Sequence, residues 1–407
     1  MGRELTPLSA LELRPGHEAE RVHLVAESAP AGARPRFPGA EGALARHWEL
    51  RGPMARATAA ALVQAGKAQS AWCAALPAPP PDGDDLDPTT PEFATAWREA
   101  PPEGFGFEEA RRFPGGLGEY VTIVDIEFAW DPTHEDLLQL SPTAIGGVPD
   151  PQWDFHGTGV LGILAAGDNS FGITGGAPMA SVLVQHPWFD DDGELSYDVA
   201  RAIVEATRVL VPGDVILIEQ QSYGLDTELV PMSIDPGVRD AIRAATALGI
   251  VVVEPAGNDN VDLDDPVYEG AFTDDTGVLR VGGGGSSLGP EPGARVGSNW
   301  GSSVSVQAWS EDIVTTAGPP MTDLFFPDDD PRQAYTSYFG GTSGASALVA
   351  AMAATLQSVA VATHGAPLSP GELRAMLLAG GLPAAEGSAP VGGQPDLRRS
   401  LRTWLVP

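Results

Sequence analysis

From about residue 110 onward, short apolar runs rich in β-branched residues alternate with longer segments of helical periodicity. Parallel strands are joined by crossovers that are usually helical, so this alternation predicts a mainly parallel sheet with helices on both faces. We therefore expect a three-layer α/β fold. The predicted strands are 120–124, 181–184, 214–218, 250–253 and 278–281, and the predicted helices are 158–166, 198–209 and 238–248. Catalytic groups of such sheets gather at the carboxyl ends of the strands.

The first 85 residues form a separate segment, which we predict to be a small α+β domain with a strand around residues 22–25 and a helix over 55–65. A run of prolines and aspartates that starts at Pro77 ends this segment, because consecutive prolines cannot continue a helix. We predict a linker over 86–109 and a larger α/β domain over 110–407.

The net charge of −32 excludes several kinds of partner. Such an acidic surface repels nucleic-acid phosphates and anionic lipid. We therefore expect no nucleic acid and no membrane among the partners. The sequence also contains no run of about 18 apolar residues, which a membrane-spanning helix would need.

Cys73, the single cysteine, cannot form an internal disulfide. No signal peptide is visible, so the chain as given is expected in the cytoplasm, or outside the cell if a signal was removed. The oligomeric state stays open.

Ser343 lies in the segment Gly340-Gly-Thr-Ser-Gly-Ala-Ser, which precedes a run of small apolar residues. A serine at this place would occupy a helix N-terminus, where free backbone N–H groups and the helix dipole favour developing negative charge. The segment alone is equally consistent with a nucleophile and with a serine that caps a buried helix.

Three other polar residues stand at comparable places. Asp125 ends an apolar strand, His156 is followed by Gly-Thr-Gly at the start of an apolar helix, and Asn258 ends the run Ile250-Val-Val-Val-Glu-Pro-Ala-Gly-Asn. Taken singly, each is more commonly a turn residue or an ordinary surface or core residue. Their order along the chain gives them weight together.

The four segments together resemble the subtilase family of serine peptidases, over roughly residues 110–383. His156-Gly-Thr-Gly-Val-Leu-Gly is similar to the family's histidine motif, Gly341-Thr-Ser-Gly-Ala-Ser to its serine motif, and the segment ending at Asn258 to its oxyanion-hole strand. Small residues that usually follow the family's aspartate are replaced by Ile126 and Glu127. An extra carboxylate there is expected to raise neighbouring pKa values or to shape a subsite.

The resemblance implies a serine endopeptidase that acts on polypeptides through an acyl-enzyme. Its triad would be Asp125, His156 and Ser343, and the oxyanion would be held by Asn258 and the backbone N–H of Ser343. The resemblance also places Ser222-Tyr223-Gly224 and Ala256-Gly257 on the two walls of the substrate pocket. Carboxylates that follow Asn258 would favour a basic residue before the cut if they reach that pocket; they are Asp259, Asp262, Asp264 and Asp265.

The implied chemistry requires no cofactor. Structural calcium, which the family often binds, stays open, although acidic runs such as that at Asp190 are more typical of solvated loops. Two alternatives to hydrolysis also stay open: transfer of the acyl group to an amine, as in a peptide ligase or macrocyclase, and a catalytically silent binding protein. Residues 1–85 would be an inhibitory or folding-assisting propeptide, or else a permanent cover.

Overall fold

The structure, a computed structural model, describes residues 17–31, 33–35, 47–51, 54–68, 70–75, 90–224, 227–289, 295–385 and 389–402. The chain divides into two compact units, Met1–Leu86 and Asp87–Pro407.

The smaller unit is an antiparallel sheet packed against one helix. Its strands are β1 (His17–Val25), β2 (Arg34–Pro35), β3 (His47–Arg51) and β4 (Ser70–Ala75), in the spatial order β2-β3-β1-β4, and its helix is α1 (Ala55–Gln64). Val22 and Leu24 of β1 are fully buried against Ala55 and Ala59 of α1. This arrangement is the α+β unit that was expected. The proline-rich run that begins at Pro77 lies outside the described residues.

A seven-stranded sheet forms the centre of the larger unit. Its strands are β5 (Thr122–Ile126), β6 (Thr143–Gly146), β7 (Ser181–Gln185), β10 (Val215–Ile218), β13 (Val251–Pro255), β14 (Leu279–Gly284) and β15 (Val306–Trp309). Their spatial order is β15-β14-β13-β10-β5-β7-β6, and every neighbouring pair is parallel. Three short antiparallel pairs lie outside this sheet: β8 (Trp188–Asp191) with β9 (Glu194–Tyr197), β11 (Gln221–Tyr223) with β12 (Leu229–Pro231), and β16 (Ile313–Thr316) with β17 (Tyr335–Phe339).

Helices cover both faces of the sheet. The α-helices described in this unit are α2 (Phe107–Ala110), α3 (Asp154–Ala165), α4 (Val199–Thr207), α5 (Pro236–Ala247), α6 (Gly341–His364), α7 (Pro370–Gly380) and α8 (Leu397–Ser400). One core packs α3 and α6 against the sheet, and a second core packs α4 and α5 against its other face. The predicted three-layer α/β fold is confirmed.

Side chains of β5 alternate between these two cores. Ile123 belongs to the core of α3 and α6, whereas Val124 and Ile126 belong to the core of α4 and α5. Since successive side chains of a strand point to opposite faces, Asp125 faces α3 and α6, and the same period carries Glu127 to that face if the extended backbone continues. Both residues stand at the carboxyl end of the sheet.

Residues 90–109, which the sequence predicted to belong to a linker, contribute to the core of the larger unit. Trp97, Phe105 and Phe107 are buried, and the rings of Trp97 and Phe107 pack edge to face with centroids 5.6 Å apart. The Trp97 indole N–H donates to the carbonyl of Val314 at 3.1 Å. The aromatic side chains of this segment have the burial of core residues, so the segment belongs to the larger unit.

Helix α6 is buried along most of its length. By length and hydropathy it is the one helix among the described residues that could cross a bilayer, but 89% of its most apolar window is buried inside the protein. Its small side chains let it pass through the core against β10, β13, β14 and β15. The apolar character of α6 is therefore accounted for by packing within the protein.

Replacing Trp97 by alanine tests whether residues 90–109 are part of the core. Loss of the buried indole should lower the free energy of unfolding by about 3–5 kcal/mol, because the transfer free energy is lost and a cavity remains. Chemical denaturation of the full chain measures this change. The control is Tyr120→Ala, which removes an aromatic side chain that is 59% exposed and should cost less than about 1 kcal/mol. Equal effects of the two substitutions would mean that the segment is a peripheral linker.

Candidate active site

Two helix N-termini meet the carboxyl end of the sheet beside one cleft. His156 is the third residue of α3, and Ser343 is the third residue of α6. Both line a cleft of about 600 Å³, and no hydrogen bond joins their side chains among the described contacts. The structure thus brings together two of the residues that the sequence singled out.

Glu127 is the carboxylate that binds the imidazole of His156. The distance between His156 Nδ1 and Glu127 Oε2 is 2.7 Å, and the Glu127 side chain has no exposed surface. Burial lowers the pKa of His156, but the negative charge of Glu127 and its hydrogen bond raise the pKa more, so the net pKa lies above its usual value. A carboxylate at Nδ1 also requires the proton on that nitrogen, which leaves the Nε2 lone pair available to an acid in the cleft.

A glycine allows this close contact. A Cβ atom at residue 157 would lie 2.0 Å from the carbonyl oxygen of Ala129 and 2.6 Å from Glu127 Cγ. No side chain fits there without moving the backbone of the segment that follows β5. Glycine at residue 157 is therefore required for the contact between His156 of α3 and Glu127.

Asp125, which the sequence predicted to orient His156, is placed differently. Its carboxyl is fully buried, and neither oxygen has a hydrogen-bond partner. Burial, and then repulsion by Glu127, raises the pKa of Asp125 well above its usual value. In this structure the orienting contact belongs to Glu127, two residues further along, because its longer side chain starts from the position after the strand end and reaches the imidazole.

A third carboxyl, that of Glu219, lies in the same place. Glu219 directly follows β10, is 4% exposed, and lines the cleft together with Ser343. Burial raises its pKa well above the usual value, repulsion by Asp125 and Glu127 adds to this, and interaction with the Ser343 hydroxyl partly opposes it. Neither Glu219 oxygen completes a hydrogen bond of ordinary geometry.

The ring of Phe339 contacts both helices that carry His156 and Ser343. A Cβ atom at Gly159 of α3 would lie 2.5 Å from this ring, and one at Gly344 of α6 would lie 3.3 Å from it. The ring centroids of His156 and Phe339 are 5.7 Å apart. One aromatic ring thus packs directly against the backbone of both helices.

Asn258 is held in place by the segment that carries Ser343. Its Oδ1 accepts hydrogen bonds from the backbone N–H of Thr342 at 2.8 Å and from the Thr342 hydroxyl at 3.0 Å. Its Nδ2 donates to Gln221 Oε1 at 3.2 Å. An amide carries two hydrogens, so a second one remains beyond the bond to Gln221, although Asn258 itself is not among the residues that line the cleft.

Only some of the residues predicted for the walls of the substrate pocket line this cleft. Ser222 and Tyr223 of β11 line it, whereas Ala256 is buried in a separate apolar cluster and is absent from the lining. Gly224 donates its N–H to the carbonyl of Glu228. Gly257 has a φ of +94°, and a Cβ there would lie 2.4 Å from Asn299 Nδ2, so this turn requires glycine.

The opposite part of the cleft is aromatic. The rings of Phe128 and Tyr197 are stacked with centroids 6.1 Å apart, and Trp188 packs on Tyr197 at 5.1 Å. Trp153 and the side chain of Met232 complete the apolar lining. None of these residues was singled out from the sequence, where aromatic residues on separate loops carry no common pattern.

Aspartates that follow Asn258 are engaged in loop hydrogen bonds and do not line the cleft. Asp259 accepts from the backbone N–H of Leu229 at 2.6 Å, and Asp264 accepts from the N–H and the hydroxyl of Ser302. Asp262 and Asp265 each accept from a backbone N–H two residues further along. The geometry of the described residues therefore offers no carboxylate from this group to a basic substrate side chain.

The acidic runs considered for calcium are likewise used locally. Asp190 accepts from the backbone N–H of Gly193, and Asp191 pairs with Arg201 at 2.9 Å. Within the described part of the chain, no group of three or more histidine, cysteine or acidic side chains is arranged to hold a metal ion. Asp190 and Asp191 thus already have partners in the segment where they lie.

Comparison with known proteins identifies a family. The model of the subtilase family, peptidase family S8, matches residues 140–381, which is more than half of the chain. An intracellular serine protease of Paenibacillus polymyxa is 27% identical over 308 residues, covering 71% of this chain and 80% of that protein. An extracellular protease of Xanthomonas campestris is 30% identical over 222 residues, and the major intracellular serine protease of Bacillus subtilis is 28% identical over 153. The chain spans only 34% and 45% of the lengths of these last two relatives.

Solved structures show the same fold. The prenylagaramide maturation protease has a TM-score of 0.54 and 21% identity, with 73% of this chain and 97% of that chain covered. A protease from Pseudoalteromonas arctica has a TM-score of 0.54 and 23% identity, with 74% and 94% covered. The resemblance that the sequence motifs indicated is confirmed.

Replacing Glu127 and Asp125 in turn by the corresponding amide should show which carboxyl raises the pKa of His156. We expect Glu127→Gln to lower the pKa of His156, because the imidazolium loses the negative charge and the charged acceptor that stabilise it. Asp125→Asn should change this pKa much less, because Asp125 makes no hydrogen bond to His156 and its burial favours the neutral form of its carboxyl. Titration of the imidazole by NMR, in a Ser343→Ala background that prevents self-digestion, measures both shifts. A larger shift for Asp125→Asn would return the orienting role to Asp125.

Proposed function

The chain belongs to the subtilase family and is a serine-type endopeptidase, and from this premise we propose that it cleaves polypeptides through an acyl-enzyme formed on Ser343. The observation that carries the proposal is the 2.7 Å hydrogen bond between Glu127 and His156 Nδ1, in a cleft that His156 shares with Ser343. A serine, a histidine and a carboxylate in these roles form the triad of nucleophilic acyl transfer.

Each step uses a group whose position has been described. Ser343 Oγ attacks the scissile carbonyl carbon while His156 Nε2 takes its proton, and the imidazolium is stabilised by Glu127. His156 then gives the proton to the leaving amine, and water hydrolyses the ester on Ser343 in a second round of the same transfers. The raised pKa of His156 supports its basicity in the first step.

Negative charge on the carbonyl oxygen would be met by two donors at the start of α6. The backbone N–H of Ser343 lies in the first turn, where the helix dipole also favours an anion. The second donor is the remaining hydrogen of the Asn258 amide, whose orientation is fixed by Thr342. Loss of one such donor typically lowers turnover by about 10²–10³-fold.

We assign Asp125 a different role from the one that the sequence implied. A fully buried carboxyl without hydrogen-bond partners is stable only in its neutral form. When Asp125 is neutral, the negative charge of the pair Asp125 and Glu127 lies on Glu127, which contacts His156. The proposed triad is therefore Ser343, His156 and Glu127, with Asp125 as a buried neighbour.

The lining of the cleft points to substrates with large apolar side chains near the cut. Phe128, Trp153, Trp188 and Tyr197 offer an aromatic surface to such side chains, and Tyr223 stands 72% exposed on β11. The proposed chemistry needs no metal or cofactor, because the proton transfers and the charge stabilisation are all assigned to side chains and backbone groups of this chain.

Alanine at either reacting residue should abolish hydrolysis without unfolding the protein. For Ser343→Ala and His156→Ala we expect kcat to fall by about 10⁶-fold, the size of loss that subtilisin shows for its own serine and histidine. Casein hydrolysis and thermal unfolding of the purified proteins measure the two properties. Ser346→Ala is the matched control, since this serine lies one turn further along α6, is buried, and has no partner for its hydroxyl. Undiminished hydrolysis by Ser343→Ala would overturn the assignment, and product masses distinguish hydrolysis from transfer to an amine.

A peptide library should reveal the preference of the cleft. We expect cleavage sites to be enriched in aromatic and large aliphatic residues at positions upstream of the cut, and Trp188→Ala should reduce that enrichment and raise KM by about tenfold, the effect of about 1.4 kcal/mol of lost contact. Mass spectrometry of the cleaved library measures both. A profile dominated by lysine or arginine would instead favour contact with the aspartates that follow Asn258.

A further inference from the structure

Glu219 is a buried carboxyl at the reacting atoms that the proposed mechanism leaves unused. Its backbone N–H donates to the carbonyl of Ile126 at 3.2 Å, so it stands beside the strand end that carries Asp125 and Glu127. Its side chain lines the cleft, lies close enough to the Ser343 hydroxyl to interact with it, and is 4% exposed. Neither of its oxygens completes a hydrogen bond of ordinary geometry.

A group in this setting is stable only when it carries a proton. The titratable groups that face Glu219 are Asp125 and Glu127 on the segment of β5, and across the cleft His156 on α3, whose positive form is neutralised by Glu127. No arginine or lysine pairs with Glu219 among the described residues. An ionised Glu219 would therefore be an unpaired charge in a buried site that already holds the charge of Glu127.

A neutral carboxyl can donate a hydrogen bond. The position of Glu219 indicates which atom of the substrate would accept it. In the tetrahedral intermediate, Ser343 Oγ and the oxygen that becomes negative are bonded to the same carbon. A group beside Ser343 Oγ therefore lies near that negative oxygen as well. A buried O–H beside Ser343 is worth most when the charge develops, because water is excluded from its surroundings. The same carboxyl in its ionised form would repel the developing charge.

We propose that Glu219 is a further catalytic residue of this site, which in its neutral form donates a hydrogen bond to the oxyanion formed when Ser343 attacks. The proposal rests on the proposed function of Ser343 and adds a donor to the two at the start of α6. It gives the enzyme an alkaline limit of activity: kcat falls when Glu219 loses its proton.

Two substitutions of similar size separate this role from a structural one. Glu219→Gln keeps an uncharged donor, so we expect kcat near neutral pH within about tenfold of the wild type, and the alkaline fall in kcat that Glu219 causes should disappear. Glu219→Met fills the space without a donor, so kcat should fall by about 10²–10³-fold with KM little changed. Asp125→Asn is the control for the other buried acid, and this variant should retain the alkaline fall.

Kinetics of a peptide substrate over a range of pH, with thermal unfolding and labelling of Ser343 by a fluorophosphonate, test the proposal on the full chain. Labelling counts the folded, competent sites, so a variant that folds poorly is compared per labelled site. Retention of the alkaline fall in Glu219→Gln, equal losses in the Gln and Met variants, or an unchanged kcat in Glu219→Met would overturn the role of Glu219. Absence of Ser343 labelling in the wild type would instead overturn the proposed function itself.

Discussion

Electrostatic repulsion among three buried carboxyls governs the chemistry of this site. Asp125, Glu127 and Glu219 lie at neighbouring strand ends, in a region that water barely reaches. One negative charge there is stabilised by His156, whereas a second would have no cation beside it. Burial and mutual repulsion favour the neutral forms of Asp125 and Glu219 beside the hydrogen-bonded pair of Glu127 and His156, and the state of each acid depends on the others.

Much of this arrangement could be predicted from the sequence, because the pattern of strands and helices is strong. The β-branched runs at 181–184 and 250–253 correspond to β7 and β13, and the small-residue segment around Ser343 does begin a helix. The edge strands β6 and β15 escaped prediction, since Thr143–Gly146 and Val306–Trp309 are short and lie next to glycine or polar residues. Their pairing is decided by contacts with strands that are distant in sequence.

The choice between Asp125 and Glu127 could not be made from motif likeness alone. The family pattern favours the aspartate, and only the reach of the glutamate side chain, with the gap that Gly157 leaves for it, places the carboxylate on His156. A period of two along β5 puts both acids on one face, which is the signal that could have raised the alternative. Glu219 gave no signal, because a glutamate after a buried strand has no motif and its neighbours come from other strands.

The ring of Phe339 packs against Gly159 of α3 and Gly344 of α6, and it therefore helps to fix the distance between these two helices. Ser343 and His156, the proposed nucleophile and its proposed base, belong to different helices, so their separation depends on how those helices pack. An aromatic ring cannot be compressed and has few conformations, and glycines on both sides leave no side chain that could shift to take up slack. The distance between Ser343 and His156, across which the proposed proton transfer would occur, therefore depends in part on the size of the Phe339 ring.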